Sequence, residues 1–110
     1  MTIYRNDRFW AARRSLMLPH PHGEVAAIAS AFHDCFLALA DVRSEDLDDN
    51  ARDWVSKLRD LIDTTGLQDP THRGLFTIKA ERLTEGQKLE LSQVVDELAN
   101  WFDSHFWSNT

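Results

Sequence analysis

Two histidines stand close together in a short proline turn, where they could begin a metal site. The run His20-Pro21-His22 is followed by Glu24, so two imidazoles and a carboxylate lie within five residues. Such groups bind divalent metals, and a third ligand would come from elsewhere in the chain: His33, His72 or His105. Proline and histidine also suit an exposed, stiff turn. His20 and His22 are therefore candidate metal ligands, but we expect no bound metal and no other cofactor.

Residue types suited to catalysis occur without a recognisable catalytic arrangement. Arg13 and Arg14 precede His20 by seven and six residues, a spacing that a nuclease-like helical enzyme could use. Cys35 is the one cysteine, and because it falls in an apolar run we expect a small buried side chain rather than a nucleophile. The sequence contains no glycine-rich phosphate loop and no common hydrolase motif. These observations favour a protein that is not an enzyme.

The residues that could bind a metal or take part in catalysis must be positioned by helices, because apolar side chains recur with helical period along most of the chain. The period predicts helices over residues 3–18, 24–41, 45–64 and 85–106. Phe36 falls in the apolar stripe of the second helix and Trp54 in that of the third, so both side chains are expected in the core. Ser44 is placed to cap the third of these helices. Thr84 and Gln87 form a capping box before the fourth helix.

The connection of residues 64–84 is longer than a helical bundle needs. Within it, Asp69-Pro70 has the pattern of a helix cap followed by a first helical residue, which predicts a short helical turn. The spacing of Phe76, Ala80 and Leu83 fits one or two further helical turns, and an extended segment through Leu75, Phe76 and Ile78 is the alternative. The predicted fold is all-α and forms one domain, residues 1–110. Its architecture would be an antiparallel four-helix bundle with a long connection before the last helix.

The helix predicted over residues 24–41 is apolar on more than one side, which indicates burial on more than one side. A two-fold contact with a second copy would cover its second face, so we predict a homodimer. Residues 3–18 or 64–84 of the same chain could cover that face instead. Four residues of this helix and two aromatic residues near the end of the chain are the predicted interface: Ala27, Ala31, Leu37, Ala38, Phe106 and Trp107.

Charge is unevenly distributed along the 110 residues. The chain carries 18 acidic and 12 basic residues, for a net charge of −6, yet residues 1–14 alone carry +3. An acidic chain lacks the basic surface that nucleic-acid binding needs, so we do not expect a nucleic-acid partner. The basic segment is expected to lie against acidic helices of its own chain, and the alternative is an arm that binds an external partner.

No apolar stretch approaches the length of a membrane span, and no secretory pattern is recognisable, so we expect a cytoplasmic protein without membrane contact. The sequence as a whole favours a small helical interaction protein, either an oligomeric adaptor or an inhibitor that neutralises a protein partner. The alternatives are a metal- or ligand-binding bundle that uses the turn at His20 and His22, or the nuclease-like enzyme.

Overall fold

The structure, a computed structural model, is all-helical over the residues that it describes. These are residues 2–20, 22–40, 42–43, 45, 47–70 and 72–108, with side chains between residues 7 and 104 of those ranges. They contain no strand and form five helices: α1 (Thr2–Leu16), α2 (Glu24–Leu39), α3 (Asp49–Ile62), α4 (Leu75–Arg82) and α5 (Glu85–Ser108). The predicted fold class is confirmed, but the described chain has five helices where four were predicted. None of the described helices is long and apolar enough to cross a membrane.

Helix α5 begins at the predicted capping box. The Gln87 backbone N–H donates to Thr84 Oγ1 at 3.1 Å, and the Thr84 backbone N–H donates to Gln87 Oε1 at 2.9 Å. These two bonds satisfy donors that the first turn of a helix leaves without intrahelical partners. The start of α5 is therefore specified by residues that are close in the sequence.

Helix α3 begins later than predicted, at Asp49, so the prediction of Ser44 as its cap is wrong. Asp48 caps the helix instead, and its Oδ1 accepts a hydrogen bond from the Ala51 backbone N–H at 2.8 Å. The other carboxylate oxygen of Asp48 accepts from Trp101 Nε1 at 3.0 Å. This bond to α5 is a tertiary contact, and it favours Asp48 over the other capping residues in this acidic run.

The connection between α3 and α5 contains α4, where Phe76, Ala80 and Leu83 predicted further helical turns, whereas the helical turn predicted at Asp69-Pro70 is a loop. The Asp69 carboxylate accepts hydrogen bonds from the backbone N–H groups of Arg73 at 2.7 Å and Gly74 at 2.8 Å. Asp69 thus closes a loop, and the helix begins after Gly74. The ring of Phe76 in α4 then packs on Phe32 of α2, with centroids 5.9 Å apart. The connection therefore covers part of α2.

Helix α1 packs against both α2 and α5. Phe9 stacks on Phe102 of α5 with ring centroids 5.2 Å apart, and Arg13 Nε donates to Asp96 Oδ1 at 2.6 Å. Since later residues of α1 meet earlier residues of α5, these two helices run antiparallel. Burial of a large side chain such as Phe9 contributes about 1.5–3 kcal/mol to the hydrophobic stabilisation of the fold.

A single cluster of buried apolar side chains includes residues from all five helices. Two aromatic residues predicted within the apolar stripes lie at its margin instead. Trp54 of α3 is half-buried against the cluster, and 56% of Phe36 of α2 is exposed. Helical period identifies which face of a helix points inward, but the width of the buried face depends on how far neighbouring helices extend.

Candidate functional site

The two histidines of the proline turn have different surroundings. His20 is half-buried, and its Nε2 donates to the Leu16 carbonyl oxygen at 3.1 Å, in the last turn of α1. His22 is exposed, and Pro21 between them lies outside the described residues. One imidazole nitrogen of His20 is thus engaged by the backbone. No group of three or more His, Cys, Asp or Glu side chains that could hold a metal occurs among the described residues.

The predicted interface residues of α2 fall into two groups. Ala31 and Ala38 are fully buried within the chain itself, so they are not on the surface that a second copy could reach. Ala27 and Leu37 are half-buried, and an interface role for them stays a prediction. The predicted contribution of two aromatic residues near the end of α5 lies outside the described side chains: Phe106 and Trp107.

The second face of α2 is covered largely by α1. The Ser15 and Ser30 hydroxyls lie 3.3 Å apart in a hydrogen bond between these helices, and the Arg8 guanidinium donates to Asp34 at 3.2 Å. This arrangement is the intrachain cover that the sequence left open as the rival to a dimer. It explains why Ala31 is buried without a second copy.

Two arginines of the basic N-terminal segment lie against acidic residues of their own chain, as expected, whereas Arg14 has no ion pair among the described residues and the Arg5 side chain lies outside them. Arg8 pairs with Asp34 of α2, and Arg13 pairs with Asp96 of α5. The Arg13 guanidinium also lies 4.9 Å from the centre of the Trp10 ring. Two of the basic side chains therefore serve to join helices. All four charged groups are partly exposed, so each pair contributes at most about 1 kcal/mol.

The exposed ring of Phe36 borders a cavity at the C-terminal end of α2. This cavity of about 560 Å³ lies between the C-terminal ends of α2 and α3 and the start of α4. We call it, together with the Phe36 ring, the Phe36 surface. Six of the residues that form it are Phe36, Ala40, Arg59, Asp60, Asp63 and Phe76. The centroids of the Phe36 and Phe76 rings are 6.0 Å apart, so the surface has an aromatic side and a charged side.

The charged side of the Phe36 surface carries both signs. Arg59, Asp60 and Asp63 are exposed along the last turn of α3 and just after it. Hydrogen bonds from the Thr65 hydroxyl, at 2.6 Å, and from its backbone N–H, at 3.0 Å, lower the pKa of Asp63, and the positive charge of Lys79 lowers it further. Asp63 is therefore a fixed anion at neutral pH, with the positive charge of Lys79 near it.

A second cavity, of about 420 Å³, lies between α1 and α2. We call it the α1–α2 cavity. Its wall is formed mainly by short side chains, and Arg14 and His22 also line it. Its volume falls within the range of small-molecule sites, which is roughly 300–1,000 Å³.

Cys35 is fully buried in α2, as predicted. Burial disfavours the charged thiolate and raises the pKa of the thiol, and the neighbouring Asp34 carboxylate raises it further. A thiol in this environment is not activated for nucleophilic attack.

Comparisons with protein-family models, with curated proteins and with solved structures found no significant match to this chain. The two surfaces above therefore rest on the geometry of the chain alone. Sequence reasoning missed both of them, since it placed Phe36 in the core and treated the residues around Ala27 as part of one continuous face. The available signal in the sequence was the long connection of residues 64–84. Its length shows that it can cover part of α2, but not which part.

Proposed function

We propose that this protein is a non-enzymatic helical interaction protein that pairs with a second copy of itself through the Phe36 surface. The observation that carries the proposal is the exposure of Phe36, 56% of which is open to solvent beside a cavity of about 560 Å³. Large aromatic side chains dominate the binding energy of protein interfaces when a partner removes them from water. Leu37, the next residue, is half-buried and extends the same end of α2.

A second copy is favoured as the occupant by the charges around the ring. A two-fold interface brings the same surface together twice, so it needs a surface that complements itself. Arg59 lies beside Asp60 and Asp63, and a two-fold contact can place the Arg59 of one copy against these carboxylates of the other. A partner of one uniform charge would leave part of this mixed set unpaired.

The surroundings of two residues suited to catalysis support a role that does not involve catalysis. Cys35 is buried and its thiol has a raised pKa. His20, the histidine of the arginine–histidine spacing, is bound to the Leu16 carbonyl oxygen. The bundle itself, with α1, α2, α3 and α5 as its four long helices, would act as a rigid support for the exposed end of α2.

Light scattering after size exclusion tests the proposal. The wild-type chain is expected to have twice the mass of 12.7 kDa at high micromolar concentration, and Phe36→Ser is expected to be monomeric with unchanged helicity. Leu89→Ser is the matched control, because Leu89 is a helical residue of α5 with 61% exposure that lies outside the Phe36 surface. It is expected to stay dimeric. A monomeric wild type, or a Phe36→Ser variant as dimeric as the wild type, would contradict the proposal.

A further inference from the structure

We propose that the α1–α2 cavity binds a small organic anion, a carboxylate or phosphate ester with a short apolar body. The site goes beyond the dimer contact and uses different residues. It lies where five short side chains of the two helices meet: Ala11, Ser15, Ala26, Ala27 and Ser30. Because none of these side chains reaches far from its helix, a space of about 420 Å³ remains between them.

The charge that would select an anion comes from Arg14. The neighbouring arginines are already engaged, Arg8 with Asp34 and Arg13 with Asp96. Arg14 is exposed, lines the cavity and has no ion pair among the described residues. A guanidinium has a planar set of donors that matches carboxylate and phosphate oxygens, so a cation left in this position favours those groups.

The position of the other polar groups orients the ligand. Asp34 lies at the far end of the cavity, where Arg8 holds its carboxylate. Arg14 stands six residues beyond Arg8 on α1, which is about 9 Å along the helix axis towards the turn that contains His22. The anionic group would thus lie between Arg14 and His22, away from Asp34.

The apolar body of the ligand would lie over the short side chains of α2. Ala26 and Ala27 contribute only methyl side chains to the cavity, and Pro19 lines it on the side of the turn. The hydroxyls of Ser15 and Ser30, which lie 3.3 Å apart in a hydrogen bond, also line the cavity and offer polar groups to the ligand. Apolar walls with a few convergent polar groups are typical of small-molecule sites.

Amide chemical shifts during titration with phenyl phosphate and with benzoate test this site. We expect saturable changes at the amides of Ala26, Ala27 and Ser30 with both anions, and binding at least about tenfold weaker for benzyl alcohol, which has the ring without the charge. Saturable binding of neither anion, or shift changes confined to residues outside the cavity, would overturn the proposal.

Two variants and a control test how the charge of Arg14 and the open volume of the cavity contribute to ligand affinity. Arg14→Gln is expected to weaken binding of phenyl phosphate about tenfold or more, and Ala27→Leu to abolish it by filling the cavity. Arg82→Gln removes the same charge from an exposed position on α4 and should leave the affinity unchanged. Equal affinity in the wild type and Arg14→Gln would contradict the assignment. Dimer formation is measured separately, so either proposal can fail without the other.

Discussion

The two ends of helix α2 differ in how they are held. Near the start of α2, the Glu24 carboxylate accepts a hydrogen bond from Lys88 of α5 at 2.6 Å. Helix α1 lies along α2 and is joined to it by the Arg8–Asp34 pair. At its other end, the Phe36 ring is covered on one side by Phe76 and remains more than half exposed. Helix α2 is thus joined to α5 by an ion pair near its start and has an exposed aromatic ring near its end. Ion pairs with α5 and, further along, with α1 join α2 to its neighbours, whereas its exposed end is where we place the contact with a second copy.

One matched pair of substitutions gives the largest expected effect and tests this difference. Phe9→Ala should lower the free energy of unfolding by about 3–5 kcal/mol, because Phe9 is fully buried and stacked on Phe102. Phe36→Ala should cost only about 1–2 kcal/mol, because more than half of Phe36 is exposed and its ring loses one aromatic contact, with Phe76. Denaturant unfolding at low micromolar concentration measures both. Equal losses would show that the two rings are equally important to the fold.

A smaller effect is expected at Trp54, which tests the margin of the core. The ring is half-buried, so Trp54→Ala should cost about 1–2 kcal/mol, less than the 3–5 kcal/mol expected for a fully buried tryptophan. Thermal and denaturant unfolding of this variant beside Phe9→Ala would order the two positions. A loss as large as that of Phe9→Ala would place Trp54 in the centre of the core.

The smallest expected effect is the pH dependence of stability that arises from the ion pair at the start of α2. The hydrogen bond and charge of Lys88 lower the pKa of Glu24 from its ordinary value of 4.5. A lowered pKa in the folded state stabilises the fold above pH 4.5, and this contribution disappears as the pH falls through the lowered value. Lys88→Met should therefore melt slightly below the wild type at neutral pH.

The difference between the melting temperatures of Lys88→Met and the wild type should shrink as the pH is lowered from about 7 to about 3. Lys57→Met is a suitable control, since Lys57 pairs with Asp53 within α3 and joins no helices. A difference that stays constant over this range would mean that the ion pair with Glu24 does not stabilise the contact between α2 and α5.

The helices could be predicted from the sequence because their causes are local. The box at Thr84 and Gln87 consists of two bonds between residues three apart, so it is visible in the sequence and is confirmed. The cap of α3 was predicted four residues too early. Several residues in that run can cap a helix, and the bond from Trp101, 53 residues away, favours Asp48.

The surfaces could not be predicted because they depend on which helices become neighbours. An apolar second face on α2 is compatible with a dimer or with cover from the same chain, and the composition is the same in both cases. The positions of α1 and α4 determine which residues of α2 are covered within the chain. They bury Ala31 and Ala38 and leave Phe36 exposed, and none of these outcomes follows from the helical period alone.

The most direct test of where the second copy binds is a dilution series followed by amide chemical shifts of the wild-type chain. If the Phe36 surface forms the dimer, the shifts that change on dilution belong to the end of α2 around Phe36 and Ala40, to residues 59–64 and to Phe76. The amides of α1 should stay constant, because no residue of that helix lines the Phe36 surface. Shifts independent of concentration, or changes centred on α1, would contradict the proposed dimer.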